Sequence, residues 1–501
     1  MIPIRISLTD IYAVCAGAVL PLAFAPFNQW FAPAPVYLIA VLSLAYLFYL
    51  WQTASLAQAS RYGFLFGLGY FSVGVWWVYI SFYYFGGLPA LGAGALAAAF
   101  VLILAMYPAL MGTVIRRFFP QQDHRYLLIL PSLWVIVEWI RGWLFTGFPW
   151  LSIGYSHIDS PLQGLAPVVG VYGMSFAVAY SAAALVYLWL KRPHRVLIII
   201  SVCVIWGGST ILSTVAFTEK QAKPLDVALI QANVSQEFKW VSRYIRPSIE
   251  RYLNLSAQEN DADIIIWPET AIPLFQHQAG EYLEQIKQRD PAYLIGIPVL
   301  NENGEYFNSV MYVQGKEAFY FKHHLVPFGE YIPFYQWFDE FMKLLKVPMA
   351  NFSAGAVRQP TLDVKGEKIG VSICYEDAFA NRVLSSLPEA SLLVNVSNDA
   401  WFGDSIAPHQ HLEMARMRAL ESGRYLLRAT NTGISAVINA QGKIIAQSPQ
   451  FEVHSLRARA YPYHGSTPYV YWGDTMIISL LVLLIIAYYF SITRFLPRTG
   501  E

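Results

Sequence analysis

Long apolar stretches separated by short polar loops fill the first 217 residues of the chain, and one further apolar stretch lies near its carboxyl end. Each is close to the ~20 residues that a helix needs to cross the hydrocarbon of a membrane. The pattern predicts eight transmembrane helices, at 10–26, 33–51, 62–85, 88–115, 127–146, 163–190, 196–217 and 475–493. We interpret the first as an uncleaved helix, because Pro26 directly follows Ala23-Phe24-Ala25, where a signal peptidase would otherwise cleave.

A different pattern occupies residues 218–474, where short runs rich in β-branched and aromatic residues recur. The runs lie at 227–231, 264–267, 293–297, 309–313, 368–374, 392–396 and 435–439. Several are almost continuously apolar, which is typical of strands buried on both faces. Between them, 240–258 and 408–423 have helical spacing, so this segment is predicted to be an α/β layered domain.

The two patterns divide the chain into a membrane domain with seven helices at 1–217, an α/β domain at 218–474, and an eighth helix with a short tail at 475–501. Charged residues make up 13% of the chain, against about 25% in soluble proteins. Only 13 of them lie within 1–217, whereas 51 lie within 218–474. The composition excludes a wholly water-soluble globule and a disordered chain.

Basic residues fall on one side of the predicted helices. They are Arg5, Arg61, Arg116, Arg117, Arg125, Lys191, Arg192, Arg195, Arg494 and Arg498, whereas the intervening short loops carry Arg141 alone. Because short cytoplasmic loops are enriched in Lys and Arg, both termini are predicted to be cytoplasmic. Residues 218–474 are then expected on the far side of the membrane.

The polar domain contains 23 basic and 28 acidic residues without a long basic run, so no nucleic-acid partner is expected. Three cysteines cannot build a disulfide scaffold. Cys15 and Cys203 lie in apolar runs, where cysteine usually behaves as a small hydrophobe. Cys374 is therefore the one thiol of the polar domain and a candidate for chemistry.

Three polar residues stand at or just after the ends of predicted strands: Glu269 in Trp-Pro-Glu-Thr, Lys322 in Phe-Lys-His-His, and Cys374 in Ile-Cys-Tyr-Glu. α/β proteins place their chemistry at strand ends. Singly, each has an ordinary interpretation, since a cysteine after an apolar strand is usually inert and a glutamate beside proline is usually a turn residue. Together they supply a nucleophile, a base for its thiol proton and a cation for an oxyanion.

These residues carry a resemblance to a known family. The order of Glu269, Lys322 and Cys374 is similar to the Glu-Lys-Cys triad of the nitrilase superfamily. The segments 267–273, 322–333 and 374–376, with eight predicted spans, resemble its membrane branch, the bacterial apolipoprotein N-acyltransferases. The resemblance covers essentially the whole chain. It implies an αββα catalytic domain in the periplasm, a multi-pass protein of the bacterial inner membrane, no cofactor and a monomer.

The resemblance also implies a reaction. Such an enzyme moves the sn-1 acyl chain of a phospholipid, typically phosphatidylethanolamine, to the α-amine of the S-diacylglyceryl cysteine of an apolipoprotein. Cys374 would attack the ester to form a thioester, and Glu269 would accept its proton. Lys322 and the backbone amide of Tyr375 would stabilise the oxyanion. The two substrates are therefore a phospholipid donor and a diacylated apolipoprotein acceptor.

Two further glutamates are candidate supporting residues. Glu330 matches the additional glutamate that often joins the nitrilase triad, the alternative being a solvated loop carboxylate. Glu376 follows Cys374 by two positions, so on an extended segment it would share that side chain's direction, although an elbow would break this alternation.

Aromatic and amide residues are candidates for substrate binding. Trp240, Asn398 and Trp401 resemble family positions near the active site, with ordinary packing and turn chemistry as the alternative. Apolar residues at helical spacing follow Glu330, which suggests a lid lying on the bilayer, or else a helix packed on its own domain. The lid residues expected to line the acyl chain are Phe334, Trp337, Phe338 and Phe341.

Some titratable residues have less specific interpretations. His409 and His411 lack a third ligand at matching spacing, and the expected chemistry needs none, so no metal site is predicted. Glu138 and Arg141, three apart in an apolar helix, form either a structural ion pair or a guide for a lipid head group.

Two other functions use the same features. A membrane-anchored amidase or nitrilase would employ the same triad on a C–N bond and release acid to water. A transporter or receptor with a catalytically inactive outer domain is a different class, against which the presence of Glu269, Lys322 and Cys374 argues.

Overall fold

The computed structural model describes residues 6–119, 126–327, 329–331 and 352–493. The chain divides into two compact units. One consists of Met1–Phe82, Pro89–Val215 and Trp472–Glu501, and the other of Tyr83–Leu88 and Ala216–Tyr471. We call them the helical unit and the α/β unit.

Apolar helices make up the helical unit. The longer ones are Leu8–Val19, Leu38–Thr53, Leu56–Gly74, Ala90–Phe118, Tyr126–Arg141, Ala166–Trp189, Arg195–Leu212 and Pro468–Thr493. Short helical turns lie at Leu20–Ala23, Phe27–Trp30, Val78–Ile80, Ser81–Phe85, Leu144–Thr146, Ile153–His157 and Pro161–Leu165. Every stretch that the sequence predicts to span the membrane overlaps one of the longer helices.

Some of these helices are long and apolar enough to count as membrane spans. Four helices of the described ranges are long and apolar enough to cross a bilayer, at Ala90–Phe118, Pro161–Trp189, Arg195–Leu212 and Pro468–Ser491. A fifth results if Leu56–Gly74 and Val78–Phe85, which meet at a bend of 63°, are counted as one. The protein is therefore a membrane protein with several spans, and the predicted number of eight goes beyond what these criteria establish.

Local sequence explains how these helices begin and pack. Ser7 and Ser55 stand just before two of them, and each side chain accepts a hydrogen bond from the backbone N–H three residues on. This is a capping box. Gly17 allows the helices Leu8–Val19 and Leu56–Gly74 to touch, because a Cβ there would stand 1.9 Å from the carbonyl oxygen of Phe66.

Glu138 and Arg141 are both buried in the helical unit and have separate hydrogen-bond partners. The Glu138 carboxylate accepts from the Trp134 indole and from the backbone N–H of Ile153, both at 2.8 Å. The Arg141 guanidinium donates to the carbonyl oxygens of Phe148 and Trp150. Both side chains therefore anchor the segment that follows their helix, and each does so through partners of its own and not through the predicted ion pair.

Two six-stranded sheets form the centre of the α/β unit. The first has the order His454–Ala460, Leu225–Gln231, Ile264–Ile266, Ala292–Leu300, Tyr306–Tyr312, Ala318–Phe321. The second has the order Ile444–Gln447, Ala436–Ile438, Leu426–Thr430, Leu392–Ser397, Glu367–Ile373, Leu362–Val364. A separate antiparallel pair joins Thr218–Lys220 to Tyr463–Gly465.

The sheets pack face to face and helices cover their outer faces. Side chains of both sheets share one buried cluster, which includes Leu229, Ile266, Leu294, Val371, Val394 and Leu427. A second cluster joins the first sheet to the helices Ser242–Ser256 and Gly280–Lys287. A third joins the second sheet to Ala407–Ser422 and Ala380–Leu384. The layers are thus helix, sheet, sheet and helix, which is the αββα arrangement expected.

Burial on both faces explains the apolar strands. In Ile264–Ile266 the first and last side chains enter the cluster between the sheets, whereas Ile265 enters the cluster under the helices. Since alternate side chains of a strand point to opposite faces, such a strand needs no polar position. Each predicted run overlaps a strand, and the runs at 264–267, 309–313, 368–374 and 435–439 extend one residue beyond it.

Parallel pairing places chemistry at the strand ends. Ile264–Ile266 is parallel to both of its neighbours, and Glu367–Ile373 is parallel to Leu392–Ser397. Glu269 and Cys374 follow the carboxyl ends of these two strands, which belong to different sheets.

Candidate active site

Cys374 occupies a sharp elbow. The strand Glu367–Ile373 ends one residue before it, and the 3₁₀ turn Cys374–Ala378 begins with it. Its φ of +52° lies in the left-handed region, which costs a residue with a Cβ about 1–3 kcal/mol. The Asn395 amide on the neighbouring strand donates to the Cys374 carbonyl oxygen at 3.2 Å and helps to hold the elbow. The elbow leaves the thiol 9% exposed.

Glu269 lies in the turn after Ile264–Ile266 and is buried. Its Oε1 accepts a hydrogen bond from the Asn308 amide at 2.6 Å and lies 3.4 Å from the Nζ of Lys322. Thr270, the next residue, also has a positive φ of 50°. The carboxylate is therefore fixed by two donors and by a tight turn.

Lys322 follows the strand Ala318–Phe321 and is almost completely buried, with 1% of its side chain exposed. Its Nζ donates to Oε1 of Glu330 at 2.7 Å and contacts Glu269. Burial lowers the pKa of Lys322, but the carboxylates of Glu330 and Glu269 outweigh it and raise this pKa above its usual value. Lys322 is thus a permanent cation and a poor base.

The same surroundings keep Cys374 protonated at rest. Burial raises the pKa of its thiol, and the Glu269 carboxylate raises it further, whereas Lys322 and a hydrogen bond from Ser397 act in the opposite direction. Because only the thiolate is a strong nucleophile, the proton must leave as the sulfur attacks. Two carboxylates act on the thiol, Glu269 and Asp399, and Asp399 is paired with His411 and Arg428, so Glu269 is the one available to take the proton.

The two predicted supporting glutamates fix the lysine and its loop. Glu330 pairs with Lys322 and accepts from the backbone N–H of Val326 at 2.8 Å. Glu376 is fully buried and accepts hydrogen bonds from the N–H groups of His323 and Ile373, both at 2.8 Å. Further donors to it are the N–H of His324 and the hydroxyl of Tyr320, both at 3.0 Å.

The elbow at Cys374 breaks the strand alternation, so Glu376 does not simply follow the direction of the thiol. Its carboxylate instead ties the strand that ends at Ile373 to the loop that begins at Lys322. Burial raises the pKa of Glu376, and the backbone donors oppose this rise. The residue positions the nucleophile and the cation relative to each other.

The remaining predicted residues divide into exposed and buried positions. Trp240 and Trp401 are 54% and 38% exposed, and the Trp401 ring lies 5.2 Å from that of Phe85. Asn398 is buried and donates to the side-chain oxygen of Gln236 at 2.7 Å. Tyr375 packs its ring against Phe379, with centroids 4.9 Å apart. The lid residues Phe334, Trp337, Phe338 and Phe341 lie outside the described residues.

Sequence reasoning missed a second buried charge cluster behind Cys374. Asp377, Asp399, His411 and Arg428, which we call the rear cluster, all have fully buried side chains. His411 contacts Asp377 at 2.7 Å and Asp399 at 3.0 Å through its two ring nitrogens. Arg428 contacts both carboxylates at 2.9 Å. One signal was available, since Arg428 interrupts an otherwise apolar strand.

The rear cluster connects directly to the elbow. Arg428 donates to the side-chain oxygen of Asn395 at 2.8 Å, and the amide of Asn395 holds the Cys374 carbonyl. Asp377 is itself part of the turn that Cys374 begins. In the described ranges no group of three or more His, Cys, Asp and Glu side chains is arranged to hold a metal ion.

Sequence reasoning also missed two residues beside Glu269. Asn308 donates to Glu269 and, at 3.3 Å, to Glu330. Lys239 is buried, and its Nζ donates to the backbone carbonyl of Glu269 at 3.1 Å. We call Glu269, Lys322, Glu330 and Lys239 the front cluster. With Cys374 it brings a nucleophile, a base and a fixed cation together, which suits acyl transfer through a covalent intermediate.

Two family models and several relatives match the sequence of this chain. Residues 16–184 match the family model described as apolipoprotein N-acyltransferase N-terminal domain, and residues 226–458 match the model described as carbon-nitrogen hydrolase. An apolipoprotein N-acyltransferase of Methylococcus capsulatus is 44% identical over 476 residues, covering 93% of each chain. One of Photobacterium profundum is 40% identical and covers 92% of this chain and 91% of its own.

Solved structures give a weaker match. Nit3 of Saccharomyces cerevisiae, a member of branch 10 of the nitrilase superfamily, is 17% identical with a TM-score of 0.38 and covers 57% of this chain and 98% of its own. A likeness at that level does not bear on function.

Proposed function

The chain belongs to the apolipoprotein N-acyltransferase family of the nitrilase superfamily and is an N-acyltransferase, and from this premise and the site geometry we propose that Cys374 carries the acyl group as a thioester. The donor is a phospholipid, and we assign it as phosphatidylethanolamine cleaved at the sn-1 ester. The acceptor is the α-amine of the S-diacylglyceryl cysteine of an apolipoprotein.

The first half of the reaction loads the enzyme. The Cys374 sulfur attacks the ester carbonyl while Glu269 accepts the thiol proton. Lys322 and the backbone N–H of Tyr375 stabilise the negative charge that develops on the carbonyl oxygen. The C–O bond then breaks, the proton on Glu269 passes to the leaving alkoxide, and lysophospholipid departs.

The second half transfers the chain. The neutral α-amine attacks the thioester carbonyl, a C–N bond forms and the C–S bond breaks. Glu269 receives the amine proton and returns it to the sulfur. The amide product is more stable than the thioester, so no external energy source takes part.

One observation carries this proposal. Lys322 Nζ lies 3.4 Å from the carboxylate of Glu269, both groups act on the pKa of the Cys374 thiol, and all three residues are buried. These contacts support a shared site for the proposed nucleophile, base and cation, which come from two different sheets.

The remaining assignments extend the proposal to the substrates. Trp240 and Trp401 offer exposed aromatic surface for an acyl chain, with Asn398 holding the loop that carries Gln236. Phe334, Trp337, Phe338 and Phe341 are proposed to complete that surface as a lid.

For the membrane arrangement we propose eight spans and a monomer in the bacterial inner membrane. Seven spans belong to 1–217 and one to 475–501, and residues 218–474 face the periplasm. The support is the excess of Lys and Arg in alternate loops, since short cytoplasmic loops are enriched in these residues.

A two-stage labelling experiment tests the function. The purified full chain in detergent is mixed with phosphatidylethanolamine labelled in its sn-1 chain, and a diacylated lipopeptide is added afterwards. We expect label on Cys374 first and on the lipopeptide amine second, and neither with Cys374→Ala. Ammonia release from amides without lipopeptide would instead identify an amidase.

A further inference from the structure

Lys239 is a buried amine with almost no partner. Only 4% of the residue is exposed, and its Nζ donates one hydrogen bond, to the carbonyl oxygen of Glu269 at 3.1 Å. Within the described ranges no carboxylate lies within ion-pair distance of this nitrogen. An ammonium group carries three donors, so two of its N–H bonds have no acceptor on the described protein. Such a group is stabilised by losing a proton or by meeting a ligand.

Two lysines thus flank Glu269 in opposite electrostatic situations. Lys322 pairs with two carboxylates and stays charged. Burial lowers the pKa of Lys239 to about 8, although Glu269 and Cys374 act to raise it. In the described part of the chain, Glu269 and Cys374 are the titratable side chains that act on Lys239. The neutral amine of Lys239 is therefore accessible near neutral pH, whereas that of Lys322 is not.

In the transfer step the acceptor nitrogen loses two protons, and Glu269 can pass only one of them to the Cys374 sulfur. The acceptor begins as an α-ammonium with three protons on nitrogen and ends as an amide with one. Of the two protons lost, one goes through Glu269 to the Cys374 sulfur and regenerates the thiol. The other must leave the site altogether, and it must leave first, because an ammonium has no lone pair with which to attack.

We propose that neutral Lys239 accepts this first proton from the α-ammonium of the acceptor, so that Glu269 remains free to take the second. The inference rests on the proposed function and assigns a residue to its second half. After the transfer the Lys239 ammonium passes its proton to water, and the following residue, Trp240, is 54% exposed.

The proton affinities of the two amines support this assignment. Free α-amino groups have pKa values of about 7.7–8.0, close to that of Lys239. A base matched to its substrate transfers a proton in either direction with little driving force, which suits a base that must be emptied every turnover.

Single-turnover measurements on Lys239→Met and Lys239→Arg test the proposal. The acyl-enzyme of the full chain is formed with phosphatidylethanolamine, excess donor is removed, and a diacylated lipopeptide is added at a series of pH values. We expect both variants to slow acyl transfer at pH 7 by about 100-fold, the usual range for loss of a general base, and to slow thioester formation far less. The deficit should shrink as pH rises, since the lipopeptide amine is then already neutral.

Arginine provides the matched control for a merely structural lysine. It keeps a donor for the Glu269 carbonyl but cannot accept a proton. Restoration of transfer by Lys239→Arg would overturn the proposal, as would transfer at the wild-type rate by Lys239→Met at every pH. A second readout uses hydroxylamine, which is neutral at pH 7. It should release the acyl chain from Lys239→Met and from the wild type at similar rates.

Failure of the inference is distinguishable from failure of the proposed function. If the wild type forms no thioester, the proposed function itself is wrong. In the other case the wild type forms the thioester, but both variants lose thioester formation as much as acyl transfer. Lys239 then supports the whole site, and its assignment to the acceptor step is wrong.

Discussion

Cys374 stands between two buried charge clusters that differ in how completely they are paired. In the rear cluster each carboxylate, Asp377 and Asp399, contacts both His411 and Arg428. In the front cluster Lys322 contacts both carboxylates, and Lys239 contacts neither. Each cluster contains two carboxylates and two basic side chains. We infer that the closed arrangement serves as a scaffold, whereas the open one keeps Lys239 available for proton exchange with a substrate.

The difference follows from the physical chemistry of burial. A buried charge is tolerated when opposite charges and hydrogen bonds surround it, and removal of one partner destabilises the fold by about 3–5 kcal/mol. The rear cluster meets this condition with residues of one sheet, the turns that follow its strands and the helix Ala407–Ser422. The front cluster meets it only in part, because among the described residues Lys239 has a backbone carbonyl as its partner and no carboxylate. We therefore expect rear substitutions to affect stability and front substitutions to affect rate.

The largest effect is expected for Glu269→Gln. The amide oxygen still accepts a hydrogen bond from Asn308, but the base is lost, so thioester formation should fall by about 10²–10⁴-fold with little change in stability. Stopped reactions with labelled phospholipid measure this rate. Glu330→Gln is the matched control, because it removes a charge from Lys322 without removing the proposed base. A larger loss in Glu330→Gln than in Glu269→Gln would show that the base is assigned to the wrong residue.

Arg428→Met should lower the free energy of unfolding by about 3–5 kcal/mol, since it leaves two buried carboxylates without their main cation. Denaturant titration followed by intrinsic fluorescence measures this change. Arg459→Met provides a surface control, because Arg459 pairs with Asp226 at 3.5 Å with 70% of its side chain exposed. That control should change stability by less than about 1 kcal/mol. If Arg428→Met were as stable as the wild type but inactive, the rear cluster would contribute to catalysis and not to stability.

A smaller effect concerns pH. Burial and Arg428 lower the pKa of His411, but Asp377 and Asp399 outweigh them and raise it above its usual value. A group whose folded pKa is raised stabilises the fold below its unfolded pKa of about 6.5 and loses this contribution as pH rises through the folded pKa. His411→Gln should therefore lose less stability than the wild type as pH rises from about 6.5. Parallel pH curves for the two proteins would show that His411 does not titrate in this way.

How much of the site is predictable from sequence depends on the range of the interactions. Glu269, Lys322 and Cys374 follow directly from local patterns, because each stands at the end of an apolar run that becomes a strand. The αββα layers required the family resemblance, since strand order depends on pairings between distant segments. The burial of the charged Arg428 side chain depends on its pairing with Asp377, which lies 51 positions away, and no local pattern encodes that pairing.

Lys239 shows a different reason for a missed residue. Its neighbour Trp240 was singled out, but nothing in Phe-Lys-Trp-Val indicates that the lysine is buried and the tryptophan exposed. The contact that defines Lys239 is to the backbone of Glu269, 30 positions away, and backbone partners leave no trace in side-chain patterns. Similarly, the direction of the Glu376 side chain depends on whether the backbone turns sharply at Cys374. The positive φ of Cys374 shows that it does, and the sequence alone does not indicate this φ.

Mass spectrometry of the Cys374 peptide tests the central claim most directly. Full-length protein is incubated with phosphatidylethanolamine alone, digested, and treated or not with hydroxylamine. The account predicts a fatty-acyl mass on Cys374 that hydroxylamine removes and that a subsequent diacylated lipopeptide acquires. A protein that acylates the lipopeptide while Cys374 stays unmodified, or that remains active as Cys374→Ala, would contradict it.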